Sequence, residues 1–164
     1  MNIFSIFRNS VNAFPDDVSL VVEDTSYSYK EFDEVIGRIS FLLNEAASGQ
    51  VAILAYRSLS AYAGILATLK SGKTYVPLNP KFPASRNRQM VELSNSEVLI
   101  VDNKCLDTLL SLNPDLNKRL NLIFPETKLS EIPSVILEKH EVYTTEDLKN
   151  YSDTVKPVEP SDFA

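Results

Sequence analysis

Apolar residues recur at Phe4, Phe7 and Val11, three and four apart, which predicts a short amino-terminal helix that Pro15 ends. The aliphatic run 18–22, the turn Glu23-Asp24-Thr25 and the segment 27–29 read as a β-hairpin. Ser28 and Glu31 then have capping-box spacing, followed by Phe32, Val35, Ile36, Ile39, Leu43 and Ala46 at helical intervals. Glu34 and Arg38 are placed to pair on the wet face of this helix, which the reading closes at Gly49. Residues 51–55 lack alternation, as a strand buried on both faces does. The run 58–70 is apolar or small on nearly every side, the mark of a helix packed between other elements. Lys70 suits the negative end of its dipole, and Gly72 is where a left-handed cap stops it.

Thr74, Tyr75 and Val76 favour a strand, with Pro77 and Pro80 breaking regular structure after it. Pro83 is placed to start a third large helix, and residues 98–102 form a further apolar strand. Strand–helix alternation of this kind predicts an α/β fold, a mostly parallel sheet with flanking helices and right-handed crossovers. Further strands are predicted at 121–124 and 142–144, and a short helix over 145–151. From Ser152 the chain turns polar and proline-bearing, with Pro157 and Pro160, as a surface connection does. No internal repeat, low-complexity tract or interior linker divides it.

At 164 residues and 44% hydrophobic, the chain is long enough for one domain with a real core. The net charge of -6 and pI near 4.8, without a basic stripe, argue against a nucleic-acid partner. The amino terminus is interrupted by polar residues before a signal-peptide core forms, and no apolar run reaches the length of a membrane span. Cys105 is the lone cysteine, so no internal disulfide or thiolate cage is available, and a reducing, cytoplasmic setting is expected. It reads as a small hydrophobe on a helix.

Ser71-Gly72-Lys73-Thr74 imitates the end of a phosphate loop, but Ala67 stands where that pattern needs glycine. It also follows a helix, facing the negative dipole end, so it is read as a decoy. His140, the sole histidine, has no triad motif around it and reads as a solvated loop or strand-edge residue. Asp16-Asp17, Glu23-Asp24 and Glu146-Asp147 fall in predicted turns or a helix start and form no acid/base pair. One His and one Cys supply no nitrogen/sulfur metal site, and no calcium loop is present. Tyr56-Arg57-Ser58, at the carboxyl end of a predicted central strand, is the position held open for ligand binding; its plainer reading makes Ser58 a helix cap. Lys81, Arg86 and Arg88 form a small basic cluster that suits a phosphopantetheine or CoA phosphate, or else a solvated helix start.

The order of helix, Lys70-Ser71-Gly72, then Tyr75-Val76-Pro77-Leu78-Asn79-Pro80 and Phe82-Pro83 resembles a core motif of amino-acid adenylation domains in the adenylate-forming ligase superfamily, the nonribosomal-peptide-synthetase type. Tyr27-Ser28-Tyr29-Lys30-Glu31-Phe32 resembles the first motif of that family, Val51-Ala52-Ile53-Leu54 with the helix from Ser58 falls at its next strand and helix, and Val98 to Asp102 resembles the strand that follows the core motif. Glu159-Pro160-Ser161-Asp162-Phe163-Ala164 resembles the lead into its glycine-rich phosphate loop. The resemblance covers residues 1–102 and again 157–164, while 103–156 is placed by length alone.

The resemblance implies the amino-terminal part, the first subdomain, of an adenylate-forming ligase. Such enzymes use ATP and magnesium to convert a carboxylic acid, usually an amino acid, to an acyl adenylate. They then load it on the phosphopantetheine thiol of a carrier protein. The phosphate-gripping loop, acid-selecting pocket and catalytic lysine of the family lie beyond the matched region, so the expected catalytic, cofactor and metal residues in this segment are none. The expectation is an amino-terminal piece, inactive alone, made by truncation, cleavage or a split gene. Its partner would be the remaining part of the adenylation domain, and without it the chain should be sticky. The alternative is a complete, non-catalytic adenylation-like binding or scaffold module.

Overall fold

The computed structural model describes residues 3–157. Helix α1 (Ile3–Ala13) precedes an antiparallel hairpin of β1 (Val18–Val22) and β2 (Thr25–Ser28). Glu23 turns the hairpin at a positive φ of 52°. Helix α2 (Tyr29–Glu45) opens on the expected capping box: Ser28 Oγ accepts the Glu31 N–H, and the Glu31 carboxylate accepts the Ser28 N–H at 2.8 Å. The helix ends at Glu45, short of Gly49, because Ala46 is already extended.

Strand β3 (Gln50–Leu54), helix α3 (Leu59–Lys70), strand β4 (Thr74–Leu78), helix α4 (Ala84–Leu93) and strand β5 (Val98–Val101) follow as the alternation predicts. Helix α5 (Leu106–Leu112), β6 (Asn121–Ile123), α6 (Ser134–Lys139) and β7 (Glu141–Tyr143) complete the described elements. The sheet order is β4-β3-β5-β6-β7, and every pairing is parallel. Pro77 therefore lies inside β4 and does not end it; β4 is an edge strand, whose open side needs no N–H donor.

Helix α3 closes as a Schellman motif. Gly72 has φ 68°, its N–H donates to Leu69 C=O, and the Lys73 N–H donates to Thr68 C=O. The two sheet faces divide the core. Ala52, Leu54, Leu99, Val101 and Leu122 pack under α4, α5 and α6, while Val51, Ile53, Val98, Ile100 and Ile123 pack under α1, α2 and α3. Burial on both sides explains why the central strands do not alternate.

Two further expectations fail. Residues 145–149 are turns, not a helix: the backbone bonds here are the shorter Asp147 N–H to Thr144 C=O and Lys149 N–H to Asp147 C=O, not a run of i→i+4 bonds. Thr145 N–H donates to Thr127 C=O, and the Asp147 carboxylate accepts the Thr144 N–H at 2.8 Å. His140 is not solvated but 2% exposed. Its Nδ1 accepts the Leu120 N–H at 3.1 Å, which leaves the ring proton on Nε2 to face Asn113 Oδ1 at 2.8 Å. The ring thus ties α6 to the amino end of β6 as a neutral strut.

Burial, aided by Lys139 and Arg119, lowers the His140 pKa from 6.5 to about 4. As pH falls through this window the unfolded chain takes the proton first, so stability is lost by up to about 1.4 kcal/mol per pH unit. Denaturant melts at pH 7 and pH 5 should show this loss, and His140→Gln should flatten it.

Candidate functional site

A parallel sheet puts the carboxyl ends of its strands on one rim, where ligands bind in open α/β folds. A cavity of about 610 Å³ lies there, walled by the segments that follow β3, β4, β5 and β6 and by the β1–β2 turn. Its charged lining comprises Arg57, Lys81 and Lys104 against Glu23, Asp102 and Glu126.

Asp102, fully buried just after β5, organises the floor. Its Oδ2 accepts the Tyr56 N–H at 3.2 Å and its Oδ1 the Lys104 N–H at 2.9 Å, joining the loops after two adjacent strands. Ser58 caps α3 as expected, with Oγ accepting the Ala61 N–H at 3.2 Å. The next free donors of that helix go to Glu126, whose Oε2 accepts the Ser60 N–H at 3.0 Å and the Ser60 hydroxyl at 2.6 Å. The positive end of the α3 dipole is therefore occupied by the protein's own carboxylate.

Lys104 pairs with Glu23 across the mouth, and that partner raises the lysine pKa. The Arg57 guanidinium and the Lys81 ammonium have no partner among the described residues, so they are the cations the cavity offers to an incoming anion. The basic cluster read from the sequence is divided. Lys81 faces the cavity, whereas Arg86 stacks 4.1 Å from the Phe82 centroid and Arg88 pairs with Asp115 at 2.9 Å on α4. Sequence reasoning missed Glu126 and Lys104, which lie in the stretch placed only by length; Asp102, at the end of an apolar strand, carried the one usable signal.

The remaining candidates lie elsewhere. Lys73 turns away from any phosphate role, its Nζ donating to Ala46 and Ser48 C=O at 2.8 and 2.6 Å. His140 sits at the amino end of β7, opposite this rim. Cys105 is fully buried in a short 3-10 turn, where burial first and then Asp102 push its thiol up to about 12, so it is not a thiolate at neutral pH. Among the described residues no group of three or more His, Cys, Asp and Glu side chains is placed to hold a metal, and no helix is long and apolar enough to cross a membrane.

A family model described as AMP-binding enzyme matches residues 7–164. The chain belongs to that family. Tyrocidine synthase 3 of Brevibacillus parabrevis is 32% identical over 123 residues, covering 73% of this chain and 2% of the synthase. The crystal structure of IdnL7 superposes with a TM-score of 0.81 at 28% identity, over 97% of this chain and 31% of that one. The Vibrio cholerae adenylation domain AlmE, solved with glycyl-adenosine-5'-phosphate, shares the fold with a TM-score of 0.76 at 22% identity, over 96% of this chain and 29% of AlmE. The chain thus spans a small fraction of the synthase and about a third of IdnL7 and of AlmE. The recognition made from the Lys-Ser-Gly and Tyr-Val-Pro-Leu-Asn-Pro motifs holds, as does the fold class.

At this rim the Asp102 carboxylate is the link whose loss opens the two loops. Asp102→Ala should cost about 1–3 kcal/mol, because it orphans two backbone donors. Urea unfolding checks this, with an unchanged midpoint counting against the role.

Proposed function

We propose that this chain is the amino-terminal portion of an enzyme that activates a carboxylic acid, most simply an amino acid, as its acyl adenylate and passes it to a carrier-protein thiol. The observation that carries the reading is the AMP-binding match over 7–164 in a chain that aligns with only 29% of the AlmE adenylation domain. ATP and magnesium are implied by the family, and in our reading they are held outside this segment. The α3 amino end is filled by Glu126, the α2 amino end by its capping box, and among the described residues no carboxylate cluster is set for a cation. In this reading the segment supplies the first sheet layer and the rim cavity, and the nucleotide is gripped by the remaining part of the adenylation domain.

Arg57 and Lys81 then receive an anionic group, and the phosphate of a carrier-bound phosphopantetheine suits two cations at an open mouth. The chain alone should give no amino-acid-dependent ATP–pyrophosphate exchange. Joined to the remaining two-thirds of a related adenylation domain, it should. Exchange by the 164-residue chain itself would falsify the division of labour, and an inactive fusion favours the scaffold reading. In the active fusion, Arg57→Ala with Lys81→Ala should leave pyrophosphate exchange intact while slowing thioester formation about tenfold; loss of both steps together counts against a thiol-side role.

A further inference from the structure

The segment 151–157 has no regular secondary structure, yet it is tied down along its whole length against α1, α2 and α3. Tyr151 O–H donates to Asp33 Oδ2 at 2.6 Å, and Ser152 N–H donates to Gly37 C=O at 3.1 Å. Asn44 donates to Ser152 Oγ at 3.1 Å, Asp153 pairs with Arg8, and Val155 packs on the core. Lys156 N–H ends the set on Lys70 C=O at 2.9 Å. Glycine is needed beneath two of these contacts. A Cβ on Gly37 would overlap the Tyr151 ring, and one on Gly72 would stand 3.1 Å from Lys156 Cβ and 3.4 Å from Pro157 O.

The end of α3 holds the less ordinary feature. Lys70 is fully buried, its ammonium 4.7 Å from the Tyr151 ring centroid and 5.1 Å from that of Phe4. Asp33 Oδ1 lies 3.9 Å away, and neither that oxygen nor the ammonium makes a hydrogen bond among the described residues. Burial lowers the lysine pKa, with Asp33 opposing and Arg8 adding to the shift. If the position served only to fill space, an apolar side chain of similar volume would do so without desolvating a charge. What the ammonium adds is direction: it requires ring faces and a carboxylate at set distances, and one of those rings is on the strap.

We propose that Lys70-Ser71-Gly72 is a seat for the chain's own segment 151–157, with the Lys70 ammonium as the positioning group that selects Tyr151 and so fixes where Pro157 sits. Ser71 anchors the seat from below, its Oγ 2.9 Å from Ser40 Oγ. The consequence for catalysis rests on the adenylation reading: residues 159–164, which resemble the lead into a phosphate loop, follow this anchored strap in sequence. The seat itself does not depend on that reading, and its test is made without any assay of activity.

In the 164-residue chain, amide hydrogen exchange would be followed at Ser152 and Lys156 and, as internal controls, within α2 and α3. Lys70→Met should speed exchange at the two strap amides about tenfold or more with the control amides unchanged, and Lys70→Arg should recover part of the protection. Tyr151→Leu, on the strap and less demanding of the core, should release the same two amides. Strap protection unchanged in Lys70→Met, or equal loss of protection across all of α2 and α3, would overturn the proposal. Where Lys70→Met does not fold, an undisturbed Lys156 amide in Tyr151→Leu overturns it equally. If the fused adenylation domain proves inactive while these amides respond, the adenylation reading falls and the seat stands.

Discussion

Burial of both faces of a parallel sheet is the constraint from which the rest of this molecule follows. Parallel strands cannot be joined by tight hairpins, so each link between sheet strands must cross over a face, and the crossovers supply most of the apolar cover. The hairpin, α1 and α2 precede the first strand of this sheet, lie outside the scheme, and complete the cover of one face beside α3. The same geometry gathers the carboxyl ends of β3, β4, β5 and β6 on one rim. A cavity there is a consequence of topology before any residue in it has been chosen.

What the chain does with that rim is mostly self-satisfaction. Helix amino ends attract anions, and here Glu126 takes the end of α3 while Glu31 takes the end of α2. Asp102 spends both carboxylate oxygens on backbone donors of neighbouring loops. Two cations, Arg57 and Lys81, are left over at the surface. An arrangement that fills the amino ends of α2 and α3 and keeps two exposed cations is suited to receiving a charged group at its mouth. In our proposal the nucleotide is gripped elsewhere. This agrees with a family whose members extend well beyond the region that this chain covers.

The molecule solves the problem of buried ionisable groups in two ways. His140 is buried neutral, with both nitrogens facing hydrogen-bonding partners, and its affinity for protons falls accordingly. Lys70 is buried with a carboxylate and two aromatic rings around it but no hydrogen bond among the described residues, an interaction that tolerates some rotation yet demands that the rings be present. The first device fastens elements within the sheet layer. The second fastens an irregular segment to it.

By itself the sequence determined the features governed by local rules. The Ser28/Glu31 capping box, the Gly72 cap, the unbroken apolar strands and the strand–helix alternation each depend on residues a few positions apart, so their spacing carries the information. The family motifs are built from these same local features, which is why they too were legible. Tertiary structure alone decided what depends on distant partners. Tyr151 meets Asp33 across 118 positions, Glu126 meets Ser60 across 66, and His140 meets Leu120 across 20. No periodicity registers such pairs, because the hydrogen bond that turns a polar residue into a core strut, or a helix-like stretch into a turn, exists only once the chain has brought both partners into contact.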